Sequence, residues 1–286
     1  MGRKALLVMG PAGSGKSTLC ATLLSHFEST KRRALLLNLD PAADHFEYAP
    51  HADVRDLVTL ADVAEELEYG PNGGLVYCFE YLAENLDWLD DAMALDEQAA
   101  DADDYWIIDC PGQIELYTHF PIMRTIVQHL ARKNIVMCAV YCMEATFISD
   151  TFKFFSGCLS AMSAMIQLEM PHVNVLTKMD LLKGHVDQSR LDRFLWPDAS
   201  LMEEWAEGEG KFASPKWHGL NRAVTQMIDS YSMVSFMPLD VTDEDSVEAL
   251  VLQVDTALQY GEDLEPTEPV DGGYGDDEGD DGGDDE

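Results

Sequence analysis

Apolar residues recur along this chain in two rhythms. Short unbroken apolar runs at Ala5–Met9, Ala34–Asn38, Leu75–Phe79, Trp106–Asp109, Ile135–Tyr141, Asn174–Thr177 and Val234–Met237 have the length and composition of strands buried on both faces. Between them, apolar positions spaced three and four apart predict helices at Lys16–Glu28, Asp56–Leu67, Ile114–Ala131, Ser149–Glu169, Lys216–Tyr231 and Ser246–Leu258. Strands alternating with helices predict an α/β fold, a mainly parallel, doubly wound sheet flanked by helices. The polar, Glu- and Gly-rich stretch over about 184–215 breaks the rhythm and is expected to be a small helical insertion in a body spanning 1–260. No segment repeats with the period of a solenoid.

Composition sharpens this picture at one end. The 286 residues carry 53 acidic and 18 basic side chains, a formal charge of −35, and 13 of the acids with none of the bases lie after Tyr260. The body is thus left at −22. The segment 261–286 has almost nothing apolar to bury, so a disordered acidic tail is expected there. Such a charge disfavours direct binding to nucleic acid or to an anionic membrane. No apolar run is long enough for a signal peptide or a membrane span, and Leu6 stands where a myristoylation signal needs Ser or Thr. A soluble intracellular protein is expected. Cys20, Cys78, Cys110, Cys138, Cys142 and Cys158 form no CxxC pair and sit in apolar surroundings, which suits reduced core thiols.

Chemistry concentrates at the ends of the predicted strands. Gly10-Pro11-Ala12-Gly13-Ser14-Gly15-Lys16-Ser17 follows the first strand and opens the first helix, the GxxxxGK[ST] phosphate loop in its confirming context. It makes the fold a P-loop NTPase. Backbone N–H groups there can wrap phosphate oxygens, Lys16 can reach the β- and γ-phosphates, Ser17 can ligate Mg²⁺, and Thr18 continues the same helix turn. Pro11 stands where MinD-type ATPases carry an extra lysine. At the end of the sixth predicted strand, Thr177-Lys178-Met179-Asp180 matches the [NT]KxD pattern. There the Asp carboxylate can accept guanine N1–H and the 2-amino group, neither of which adenine offers. The competing reading of Asp180 is a helix cap, and Thr in place of the commoner Asn weakens the expected link to the phosphate loop.

Two further acidic strand ends face the same edge. Asp109, in Asp109-Cys110-Pro111-Gly112-Gln113, is placed to hold Mg²⁺ through water, Gly112 to offer its N–H to the γ-phosphate, and Gln113 to orient water. Gln113 and Glu115 could equally be ordinary polar residues of a helix start. Asp40, in Asn38-Leu39-Asp40-Pro41, either holds a metal-bound or attacking water or caps a turn. Val234–Leu239 either edges the base or is a plain buried strand. His119, His129, His172 and His218 lack metal-site spacing, and Met162 and Met165 fit a helix core.

Between these motifs lies Gly70-Pro71-Asn72, a turn signal in isolation. In the order and spacing Asp40-Pro41, Gly70-Pro71-Asn72, Asp109-Cys110-Pro111-Gly112-Gln113 and Thr177-Lys178-Met179-Asp180, the chain from Met1 to about Leu258 resembles the GPN-loop GTPases, in particular their eukaryotic branch. The resemblance implies GTP as substrate, GDP as product and Mg²⁺ as cofactor. It also implies a dimer in which Asn72 helps place the hydrolytic water at the partner's nucleotide, alongside Asp40, Gln113 and Glu115 as catalytic residues and Ser17, Asp40 and Asp109 around the metal. Its further implications are a heterodimer with a first-type paralogue, a homodimer being the alternative, and a role in assembly and nuclear import of RNA polymerase II. A cytoplasmic protein shuttling to the nucleus would follow. Two other classes compete on the residues alone: a P-loop kinase, which lacks obvious lid arginines beyond Arg190 and Arg193, and an assembly scaffold with incidental turnover.

Overall fold

The computed structural model describes residues 3–43, 48–95, 104–182, 188–197, 219, 222–224, 226–227 and 234–261. Seven strands form one parallel sheet: β1 (Lys4–Met9), β2 (Ala34–Asn38), β3 (Ala52–Asp53), β4 (Tyr105–Asp109), β5 (Val136–Glu144), β6 (His172–Thr177) and β7 (Phe236–Pro238). Their spatial order is β3-β2-β4-β1-β5-β6-β7. From β1 the chain runs outward to β2 and β3, returns to β4 between β2 and β1, and then crosses to β5, β6 and β7 on the other side, so successive connections diverge beside β1, where open α/β sheets bind ligands.

Residue alternation along the central strands feeds two separate cores. Leu6 and Val8 of β1 face α1 (Lys16–Ser29) and the last helix, α9 (Glu244–Leu258), burying Leu19, Leu23, Phe27, Leu250 and Val254 with them. Ala5, Leu7 and Met9 face the opposite layer, built from α3 (Pro71–Glu84), α4 (Leu86–Ala92), α5 (Glu115–Thr118), α6 (Ile122–Arg132), α7 (Thr151–Leu168) and α8 (Gln188–Leu195). This period of two on strands covered on both faces is why their sequences read as unbroken apolar runs. All six cysteines are buried and free, and among the described residues no helix is long and apolar enough to cross a membrane.

Three expectations are corrected. Leu75–Phe79 is not a strand but lies within α3, with Gly70 as its N-cap and Pro71 in its first turn. Proline there lacks only an N–H that the helix would leave unbonded. Gly74, Cys78 and Leu82 then form one buried stripe with Phe79, and a Cβ at Gly74 would lie 2.6 Å from the Leu60 side chain of α2 (Leu60–Leu67). The seventh strand is instead the two-residue edge β3. The helix expected over Ile114–Ala131 is two, α5 and α6, parted at Phe120-Pro121 because proline cannot donate into the preceding turn. The helix expected from Asp56 begins at Leu60, where Thr59 caps it by accepting from the Asp62 N–H at 3.1 Å. The helix expected over Lys216–Tyr231 and the insertion over 184–215 lie mostly outside the described residues, and the acidic tail after Gly261 lies wholly outside them.

Candidate nucleotide site

The phosphate loop leaves β1 at Gly10 and enters α1 at Lys16. Gly10 has φ 141°, and a Cβ on it would lie 2.3 Å from the carbonyl oxygen of Cys142 on the neighbouring β5, so only glycine fits where the strand turns away from the sheet. The Ser14 N–H bonds Pro11 O at 3.2 Å, closing the loop, and Gly15 is the left-handed N-cap of the helix. Lys16 is buried, and its ammonium reaches back to Pro11 O at 3.1 Å, over the concave side of its own loop. Ala12, Gly13, Ser17 and Thr18 are exposed, while the Ser14 hydroxyl is buried with no hydrogen-bond partner among the described residues. Unbonded N–H groups at the start of a 14-residue helix, next to a lysine, form a local positive concavity in a strongly acidic chain.

Asp109 ends β4 directly beside this loop, because β4 pairs with β1 in the register Val8 to Asp109. It is 2% exposed. Burial pushes its carboxyl pKa up, while the Tyr48 and Ser17 hydroxyls and the Lys16 ammonium pull it back. Tyr48 donates to Oδ2 at 2.6 Å, and Oδ1 is buried without a hydrogen-bond partner among the described residues. Gly112 leans on the phosphate loop so closely that a Cβ would lie 2.8 Å from the Cα of Ala12. The Tyr117 hydroxyl, donating to the Pro111 carbonyl, pins the turn between them. Gln113 Oε1 is buried without a hydrogen-bond partner among the described residues, and Glu115 is exposed at the start of α5.

Asp40 follows β2 at the same sheet edge. Its Oδ1 accepts the Ala42 N–H at 2.9 Å, so one oxygen performs the turn-capping role that sequence reasoning held open. The segment after it is fixed by a network that the sequence did not announce. Asn38 donates to Asp53 Oδ1 at 2.9 Å, and Arg55 grips both Asp53 oxygens while donating to Ala43 O at 2.9 Å. Burial works against the Asp53 charge, but the Arg55 bonds prevail and hold its carboxyl below the usual range. Tyr48 was missed in the same way: a tyrosine in a loop carries no local signal that its hydroxyl will reach a strand end 61 residues away.

The base end is assembled from β6. Thr177 is buried and its hydroxyl donates to Ser14 O at 2.6 Å, with Met143 O at 3.2 Å. The threonine hydroxyl thus links this turn to the phosphate loop directly. Lys178 takes φ 60°, which lays its stem beside Gly15, with its ammonium 3.7 Å from Glu144. Asp180 is exposed in a short 3₁₀ turn, Met179–Leu182, which is tied to the segment after β7 by the Met179 N–H bond to Leu239 O at 3.2 Å. Phe236–Pro238 is a strand, and behind it Asp240 accepts from the Thr242 N–H and hydroxyl. Gly70, Pro71 and Asn72 are exposed at the start of α3, and no hydrogen bond or ion pair joins them to the phosphate loop among the described residues.

Phosphate loop, acidic strand ends and TKxD turn converge at the carboxyl edge of one parallel sheet, which defines the chain as a phosphate-loop nucleotide-binding protein. Comparisons with known proteins agree. A family model described as "Conserved hypothetical ATP binding protein" matches residues 8–260. GPN-loop GTPase 3 of Mycosarcoma maydis is 54% identical over 285 residues, covering 96% of this chain and 99% of that protein. GPN-loop GTPase 3 of Saccharomyces cerevisiae is 50% identical, covering 95% and 98%. The apo structure of a GTPase from Pyrococcus abyssi superposes with TM-score 0.69 at 20% identity, over 89% of this chain and 97% of that one, and so shares the fold. The chain belongs to the GPN-loop GTPase family.

Proposed function

We propose that this GPN-loop GTPase binds GTP across the carboxyl edge of the sheet and hydrolyses it to GDP and phosphate by attack of water on the γ-phosphate. The observation that supports the reading best is the Thr177–Ser14 bond, because it joins the TKxD turn directly to the phosphate loop. Asp180 and Lys178 would read and cover guanine, and residues 10–18 would cradle the phosphates. In a body of −22, the triphosphate depends on Lys16 and the α1 N-terminus for most of its local charge compensation.

The residues present also fit Mg²⁺. Among the described residues no cluster of three metal-ligating side chains exists, so no all-protein cage is available. Mg²⁺, however, ordinarily binds nucleotide phosphates with one or two protein groups and several waters. The unpartnered Asp109 Oδ1, the neighbouring Ser17 hydroxyl and Asp40 supply such groups. When bound, the ion offsets charge developing on the β- and γ-phosphate oxygens. Gln113 and Asp40 would orient the attacking water, Glu115 would assist at the mouth of the site, and Gly112 would sense the γ-phosphate through its N–H.

Asn72 would complete the site of a second protomer. The exposed Leu67, Tyr69 and Tyr81 around Gly70-Pro71-Asn72 support such a dimer, since large apolar groups beside an exposed turn suit an interface. By the family resemblance the partner would be a first-type paralogue, with assembly and nuclear import of RNA polymerase II as the biological task and shuttling from cytoplasm to nucleus as its consequence. Turnover measured for the chain alone and mixed with that paralogue tests the reading. Activity rising only in the mixture supports catalysis across a heterodimer. A Lys16→Ala or Gln113→Leu protein that hydrolyses GTP at the wild-type rate would overturn the site.

A further inference from the structure

We propose that Tyr48 is a positioning residue for the metal end of the site: its hydroxyl fixes Oδ2 of Asp109, so that Oδ1 is the oxygen left for the metal's water. An ionised carboxylate only accepts hydrogen bonds, so the phenol is the donor in the 2.6 Å contact. The donor is itself well held, because the Tyr48 ring packs against the core on the α1 side of the sheet. Among the described residues Oδ1 is left buried with no hydrogen-bond partner, while the Ser17 hydroxyl lies against the same carboxylate. With Oδ2 held by the phenol, Oδ1 is the oxygen left for the metal's water.

Location gives the contact a second consequence. Tyr48 lies in the segment between β2 and β3, which carries Asp40 near its start and whose two ends are joined by the Asn38 bond to Asp53, itself gripped by Arg55. The phenol thus ties that segment to the side chain that ends β4, while the Leu39 N–H bonds the Asp109 carbonyl oxygen at 2.8 Å. Groups that orient metal-binding side chains from behind typically change metal affinity about 10–100-fold when removed, and Tyr48→Phe removes only the donor while keeping the packed ring.

This inference rests on the reading that Asp109 serves Mg²⁺, and one experiment separates the two. Dissociation of a fluorescent GDP is followed from the full chain over a range of Mg²⁺ concentrations and in EDTA, for wild type, Tyr48→Phe and Tyr48→Leu. In EDTA, Tyr48→Phe should release GDP within about twofold of wild type, whereas the Mg²⁺ concentration that half-maximally slows release should rise about tenfold. Three results overturn the role of Tyr48: an unchanged Mg²⁺ requirement in Tyr48→Phe, equal losses with and without Mg²⁺, or an effect found only in Tyr48→Leu, which would assign it to ring packing. Wild-type release insensitive to Mg²⁺ would instead sink the metal reading itself, and the inference with it.

Discussion

Thr177→Val deletes one hydroxyl and keeps the shape of the side chain, so it isolates the bond that joins the two halves of the nucleotide site. That hydroxyl is buried and has one proton to give, and at 2.6 Å Ser14 O receives it in preference to Met143 O at 3.2 Å. An ordinary hydrogen bond contributes about 1 kcal/mol net, but an acceptor left buried without its donor costs about 1–3 kcal/mol. Thr177 is only 2% exposed and Ser14 1%, so water cannot easily replace the donor and about 2 kcal/mol is expected. For a domain of this size that is a fall in melting temperature of roughly 4–8 °C. Because Ser14 belongs to the phosphate loop, GDP affinity should also fall, by about threefold to tenfold, less than the full stability loss because bound phosphate restrains the same loop. Thr177→Ser retains the hydroxyl and should bind GDP within about twofold of wild type. Urea unfolding, thermal melting and calorimetric GDP titration read these outcomes. A valine variant that melts within about 1 °C of wild type and binds GDP equally would refute the claim that this bond couples base and phosphate recognition.

Gly10→Ala places a methyl group 2.3 Å from the Cys142 carbonyl oxygen at a positive φ, and should destabilise the chain by about 3 kcal/mol or more, seen as a lower urea midpoint or loss of soluble protein. Asp180→Asn replaces a charged double acceptor and should cut the preference for GDP over ADP by about 10–100-fold in a competition assay. Burial, offset only in part by Asn174, pulls the His172 imidazole down to about 4. Above about pH 7.5 it is neutral in folded and unfolded chains alike and contributes nothing. Below its unfolded value of 6.5 the unfolded chain gains a proton that the folded chain refuses, so stability falls as pH drops toward 4, by about 2 kcal/mol at pH 5. His172→Gln should remove that part of the pH dependence; an unchanged slope of urea midpoint between pH 7 and 5 would contradict it.

The phosphate loop was legible because its chemistry is local: eight consecutive residues supply the glycines, the lysine and the helix start, and flanking apolar runs supply the strand and helix that confirm it. The TKxD turn and Asp109 were legible for the same reason, each being a polar group at the end of an apolar run. Leu75–Phe79 was misread because five apolar residues have no distinguishable period, and the proline and glycine before them could mark a turn or a helix start. Only packing against Leu60 and the sheet selects the helix. Ala52-Asp53 is too short to show any alternation, and becomes a strand only because β2 offers it an edge.

What the sequence by itself determined is the class of fold and the residue types at the phosphate and base ends, since these depend on neighbours within one turn or one strand. The tertiary structure decided which of those residues touch. The Thr177 hydroxyl reaches Ser14 across 163 residues, Tyr48 meets Asp109 across 61, and Gly112 presses on Ala12 only because β4 and β1 are neighbours in the sheet. Such contacts follow from strand order, which the chain sets through the sum of its burial and not through any local spacing. Local patterns therefore named the parts of the site, and only the folded sheet could join them.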